Sequence, residues 1–325
     1  PRGPETRGAG SLPAPAHRHG AMSLSPALPL EDREYARGVV LVLTAGILWS
    51  IAGLVVRLMD GASEWQILFY RSVFLILALT AYITVRSKGQ VGAAFRAAGL
   101  NAVFAGLFLG SGFACWIFAM THTTIANALF ILASSPLMAA WVAKLMLGEA
   151  IRRITLICMI VSVLGIALMV GEGVVIGTLA GNLMALGASF AFALFTVTLR
   201  RGKAVDMTPA VCWAGIWGAL LAAVMLVVTR HGFTVSVHDL LLCGLLGFVQ
   251  VGLGLILFII GSRHIPAGEL TLLSMTEVVL GPVWVWIGVG EVPTLFTVIG
   301  GLIVLGAISA QALSGVRRRP PVGVV

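Results

Sequence analysis

Two charged residues stand in apolar surroundings. Glu277 lies within TLLSMTEVVLGPVWVW (residues 271–286), and Arg71 within QILFYRSVFLILALTAY (residues 66–82). An ionised carboxylate is costly to hold among hydrocarbon, which suits a group that takes up and releases a proton during a working cycle. The plainer alternative for Glu277 is a neutral acid bonded to a neighbouring helix. A guanidinium keeps its charge, so Arg71 is suited to grip a carboxylate through two parallel N–H bonds. Otherwise it pairs with Glu64, nearly two turns earlier, or extends its stem towards an interface.

Other side chains could join such a site. Trp49 and Trp116 stand at mid-depth in their apolar runs, where an aromatic face can stack on an aromatic or cationic solute or simply pack. Asn127 and Glu269 occupy related positions, and each either points into a central cavity or bonds a helix end. Gln250 and Asn182 read the same way. Lys144 and Glu149 fall at the end of an apolar run and read as snorkelling and helix-end groups. Trp65, Trp284 and Trp286 lie nearer run ends and are expected to anchor helices at the membrane surface. His122 and His264 fall in short turns and are not read as metal ligands, since a metal needs three or four converging groups. Cys115, Cys158, Cys212 and Cys243 show no ligand spacing and read as small packing residues. Neither a metal nor a cofactor is expected.

The elements that must position these residues are membrane helices. The chain has 325 residues, 59% hydrophobic and 10% charged, against about 45–50% and about 25% in soluble domains. Runs such as 38–56 and 97–120 contain no Lys, Arg, Asp or Glu, and about 20 such residues span a bilayer. Ten spans are expected, near 38–58, 65–85, 97–120, 123–147, 153–171, 177–199, 207–229, 239–262, 264–289 and 293–313. The fold class is therefore an all-α integral membrane protein. Residues 1–37, rich in Pro, Gly, Ala and Arg, read as a disordered cytoplasmic segment, with Met22 as a candidate natural start. Residues 314–325 read as a cytoplasmic tail. With the N-terminus cytoplasmic, seventeen Lys and Arg lie inside and two, Arg57 and Arg230, outside, so both termini are expected in the cytoplasm. The basic residues sit between apolar blocks instead of forming a stripe, which argues against a nucleic-acid partner.

The chain also repeats itself. A shift of 142 residues places Gly148-Glu149 on Gly290-Glu291, His122 on His264, and Gly110 and Gly112 on Gly252 and Gly254. Two five-helix halves follow, residues 38–171 and 177–313. Five is odd, so the second half enters the membrane from the opposite side. Arg152 and Arg153 follow Glu149 on what is then the cytoplasmic side, whereas Val292 and Pro293 follow Glu291 outside. Inverted repeats of this kind are a common plan of secondary transporters, with the substrate bound near the midplane.

Ten spans in two halves, each closing with an apolar helix, Gly-Glu and one more helix, resemble the drug/metabolite transporter superfamily, in particular its EamA-type members. The residues behind the resemblance are Leu48-Trp49, Tyr70-Arg71, the run Pro136–Glu149, and Glu277 followed by Pro282, Gly290-Glu291 and Pro293. The chain departs from the pattern at Ser50, where the family often has Gly, and at Lys144. The resemblance implies export or exchange of a small polar metabolite, such as an amino acid or amine, without ATP. No Walker-type phosphate loop occurs, nor a His-Glu-x-x-His or Gly-x-Ser-x-Gly motif. The alternatives are an enzyme embedded in the membrane and acting on lipid-linked substrates, and a passive channel. The expected partners are a small-molecule substrate and the lipid bilayer, with a homodimer left open and a bacterial inner membrane as the location.

Overall fold

A computed structural model describes residues 30–148, 151, 153–176, 178–201, 206, 208–262, 264, 273–274 and 276–316, and no strand occurs among them. The elements are α1 (Leu30–Ser50), α2 (Ala52–Arg57), α3 (Glu64–Arg86), α4 (Val91–His122), α5 (Ile125–Leu132), α6 (Ser135–Leu147), α7 (Arg153–Ile176), α8 (Leu179–Arg201), α9 (Thr208–Thr229) and α10 (Val237–Gly244). A π-helical segment, Leu245–Leu253, follows, then α11 (Gly254–Gly261), α12 (Thr276–Val289) and α13 (Leu295–Val316). Among the described residues seven helical stretches are long and apolar enough to cross a membrane, and three further apolar helices, Arg153–Met169, Thr276–Val289 and Leu295–Gln311, are shorter. In lipid a helix satisfies its own backbone hydrogen bonds, and this chain is a multi-pass membrane protein.

Helix α1 begins at Leu30, so residues 30–37, expected to be disordered, are helical instead. Glu34 lies near its N-terminal end, where a carboxylate complements the exposed backbone N–H groups. Residues 1–29 and 317–325 lie outside the described part. Several spans are broken, each for a local reason. Ile51 separates α1 from α2, beside Ser50, whose hydroxyl donates back to the Ile47 carbonyl at 2.7 Å. Gly99 interrupts α4 with φ +62°. Ala133 and Ser134 separate α5 from α6, where Pro136 opens the new helix and has no N–H to continue the old one. The π-helical segment widens the helical stretch Val237–Gly261.

The repeated Gly-Glu phrase has a backbone cause. Gly148 ends α6 with φ +69° and donates its N–H to Lys144 O at 3.1 Å; Gly290 follows α12 with φ +71° and donates to Trp286 O at 3.0 Å. Both are left-handed helix caps, a conformation glycine adopts at no steric cost.

The two halves interlock. Helix α4 packs mainly on α8 and α9, α3 on α9, α7 on α13, and α1 on α11 and α12. Close approach depends on missing side chains. Gly106 and Gly110 of α4 seat α9: a Cβ on Gly110 would stand 2.7 Å from Ala214 O and 2.9 Å from Trp217 Cβ. Gly165 and Gly300 do the same for α7 and α13. Gly110→Val is therefore expected to overpack this contact and cost about 1–3 kcal/mol. The check is a lower thermal unfolding midpoint in detergent, with Gly92→Ala, where a Cβ meets open space, as the neutral control.

Candidate functional site

Among the described residues, Arg71 is the charged group whose side chain is buried with a nitrogen left unbonded. It sits two turns into α3, is 4% exposed, and its Nη1 has no hydrogen-bond partner. The guanidinium carbon stands 4.5 Å from the centre of the Phe113 ring, a cation–π contact with α4. No ion pair joins it to Glu64 among the described residues, and it does not reach an interface. Opposite Arg71, on the carbonyl side of its turn, runs the π-helical segment: Gly247 lies so close to Arg71 O and Phe74 that a Cβ there would collide. Interrupted helices of this kind recur at functional sites.

Glu277 lies in the first turn of α12 and is half-buried. It belongs to the second half of the chain, yet its charge and that of Arg71 act on each other. No ion pair within 4.0 Å closes the space between them among the described residues. Gly46 of α1 packs on this turn, beside Thr276 and the Glu277 backbone. One turn further along the first span, Trp49 leans on Phe258 with ring centroids 5.2 Å apart and lies against Gly254. Gln250 donates Nε2–H to Trp49 O at 3.3 Å, so its side chain ties the π-helical segment to the first span. Trp284 donates its indole N–H to Ser50 Oγ at 2.9 Å. This corrects its expected role as a surface anchor: the indole is held inside, between the first span and α12. Trp286, 56% exposed, keeps an outward position.

The remaining candidates do not meet at Arg71. Asn127, 1% exposed, accepts from Thr297 Oγ1 at 2.6 Å and donates to Asn182 Oδ1 at 3.4 Å; Asn182 also accepts from Thr123 Oγ1 at 2.6 Å. This closed polar node joins α5, α8 and α13. Trp116, one turn from Phe113 on α4, is 8% exposed within the main apolar core. Glu269 and Glu149 lie outside the described residues.

A second cluster was not legible in the sequence. Arg57, at the end of α2, donates Nε–H to Glu291 Oε2 at 2.7 Å, Nη1–H to Met120 O at 2.7 Å and Nη2–H to Thr123 O at 2.8 Å. The other Glu291 oxygen accepts from the Ile125 N–H at 2.7 Å, at the start of α5. Loop ties surround it: Asp239 accepts from Asp60 N at 2.9 Å and Gly61 N at 3.3 Å, and Gln66 donates to Thr234 O at 3.0 Å. The only hint in the sequence was that Arg57 is one of two basic residues expected on its face.

The EamA-like transporter family model matches residues 36–171 and again residues 179–310. No curated protein sequence matches significantly. A solved structure titled only "Crystal structure of protein" superposes with a TM-score of 0.65 at 18% identity, covering 88% of this chain and 100% of its own; at that identity the likeness concerns the fold.

The geometry separates Asn127 from the Arg71 group. Thr297→Val leaves Asn127 Oδ1 without its donor and is expected to cost about 1–2 kcal/mol, seen as a lower unfolding midpoint in detergent. An unchanged midpoint would mean that Asn127 finds water instead and would return it to a cavity role.

Proposed function

The chain belongs to the EamA-like transporter family, and from that premise we propose that it is a secondary transporter of a small polar metabolite bearing a carboxylate, such as an amino acid, moved by alternating access. The observation that carries this reading is Arg71: a guanidinium 4% exposed, with Nη1 unbonded, resting on Phe113. An uncompensated buried charge is expensive, and a bound carboxylate would supply the missing partner with the planar geometry a guanidinium favours. Glu277, contributed by the other half of the chain, interacts electrostatically with Arg71 and would take the ammonium group of a zwitterion or a proton in its absence. A site built from α3 and α12 in this way is sensitive to movement of one half against the other, as alternating access requires. Trp49, Gln250 and the π-helical segment shape the wall. We place Trp116 behind this wall and Asn127 in the scaffold; Glu269 completes our set of candidate site residues.

The same reading makes the molecule ten spans in two inverted five-helix halves, residues 38–171 and 177–313. Its termini lie in the cytoplasm of a bacterium whose inner membrane holds it, and the net direction is export. The distribution of Lys and Arg supports this orientation, and it puts Arg57 and Glu291 on the outer face. ATP-free transport is the expected mode, and the family's members are transporters rather than enzymes.

The test is uptake into proteoliposomes of labelled amino acids, dicarboxylates and primary amines, with and without an imposed pH gradient. Carboxylate-bearing solutes should be moved, and Arg71→Lys, which loses the two-pronged grip, should slow them by about tenfold or more. Glu277→Gln should abolish gradient-driven accumulation while leaving solute exchange. Transport of amines without a carboxylate, unaffected by Arg71→Lys, would overturn the reading.

A further inference from the structure

The cluster at Arg57 is built as a socket with a removable occupant. Arg57 is fixed within the first half: two of its three hydrogen bonds go to Met120 O and Thr123 O, at the C-terminal end of α4. A helix C-terminus is negative and a helix N-terminus positive. The arginine therefore sits against a partner of opposite sign, while the N–H of Ile125, opening α5, donates to the same carboxylate as the guanidinium Nε–H. Together they form an anion socket made wholly of first-half atoms. Among the described residues the group that fills it is Glu291, from the second half, which accepts from Arg57 at 2.7 Å and from Ile125 at 2.7 Å. Side-chain exposures of 25% for Arg57 and 20% for Glu291 mean that the pair is neither dry nor fully screened. Such a contact is strong enough to hold and weak enough to release. Beneath it Leu54 packs against Gly288 so closely that a Cβ on the glycine would collide, so the two halves also touch apolar surface one turn below.

We propose that Glu291 is a releasable latch: seated in the socket made by Arg57 and the α5 N-terminus it closes this face of the molecule, and it must leave the socket for the face to open during transport. The proposal rests on the transporter reading given above. Its readout, however, is a distance between the halves and does not depend on which solute is carried. The ion pair Arg86–Asp206, at 3.1 Å with side-chain exposures of 37% and 42%, joins the end of α3 to the start of α9 and is more open to solvent than the Arg57–Glu291 pair. It is not part of the latch.

The experiment places spin labels at His122→Cys and Val292→Cys, exposed positions on either side of the latch, in a background without the four native cysteines. Protein in lipid nanodiscs is read by double electron–electron resonance. Wild type should give mainly one short distance. Glu291→Gln, which loses the charge but keeps the shape, should move population to a longer distance by about tenfold in the ratio of the two states, the equivalent of ~1.4 kcal/mol. An unchanged distribution would overturn the proposal. A second measurement is independent of any instability in the Glu291 variant. Linking the same two cysteines with a short bifunctional thiol reagent should stop solute exchange in proteoliposomes, and cleaving the linker should restore it; full exchange by the linked protein would overturn the latch. If no solute is found, the distance change still stands or falls by itself, so failure of the transporter reading is distinguishable from failure of the latch.

Discussion

A guanidinium cannot shed its charge under ordinary conditions, and among membrane helices the penalty for leaving it without a partner is severe. Arg71 is therefore the constraint around which this part of the fold is arranged. Phe113 gives the charge a π face, Glu277 gives it an opposite charge, and the glycine at 247 lets the π-helical segment close over the backbone of its turn. None of these satisfies Nη1. On the transporter reading proposed above, the missing partner is the carboxylate of the solute.

On the same reading, the breaks in the helices serve that site. A continuous helix uses its backbone groups internally and offers little to a solute. Here the first span is interrupted at Ile51, beside Ser50 and its Trp284 donor, and the stretch Val237–Gly261 is π-helical between Leu245 and Leu253, where Gly247 meets the Arg71 backbone. Rigidity is placed elsewhere. Asn127, Asn182, Thr123 and Thr297 bond one another in a dry node that ties α5, α8 and α13, and the glycine pairs of α4 and of α7 with α13 remove the side chains that would hold helices apart.

Much of this was readable from residue types because membrane burial leaves strong marks. Apolar runs gave most spans within a few residues, and the twofold Gly-Glu phrase pointed to two halves; both glycines prove to be left-handed helix caps. Arg71 stood out because a lone arginine among leucines and phenylalanines needs a reason. What could not be read were contacts across long stretches of chain. Arg57 and Glu291 are 234 residues apart, and a basic residue at a span end looks the same whether it faces lipid headgroups or a helix terminus. Trp284 was misjudged for a related reason: its position along the helix was legible, but the direction of its N–H, set by Ser50 on another span, was not. In the sequence Asn127 and Gln250 read as facing a central cavity or bonding a helix end; only the fold shows that the first bonds Thr297 and Asn182 and the second the first span.

The central group and the latch share one element. Glu277 lies in the first turn of α12 and Glu291 just beyond its end, separated by fourteen positions and hence by about 21 Å along a helix axis. The first span runs beside it in the same way, with Trp49 and Ser50 near the centre, Leu54 against Gly288, and Arg57 at the latch. A change of charge or ligand at Glu277 that tilts α12 therefore acts at Glu291 with a lever of that length. Pro282, inside α12, removes one backbone hydrogen bond between the two carboxylates and is the natural place for the lever to flex. On the transporter and latch readings proposed above, binding at the midplane and opening at the face are two ends of one helix movement, and the Glu–Arg pair needs to be only as strong as the central site's preference between the two positions.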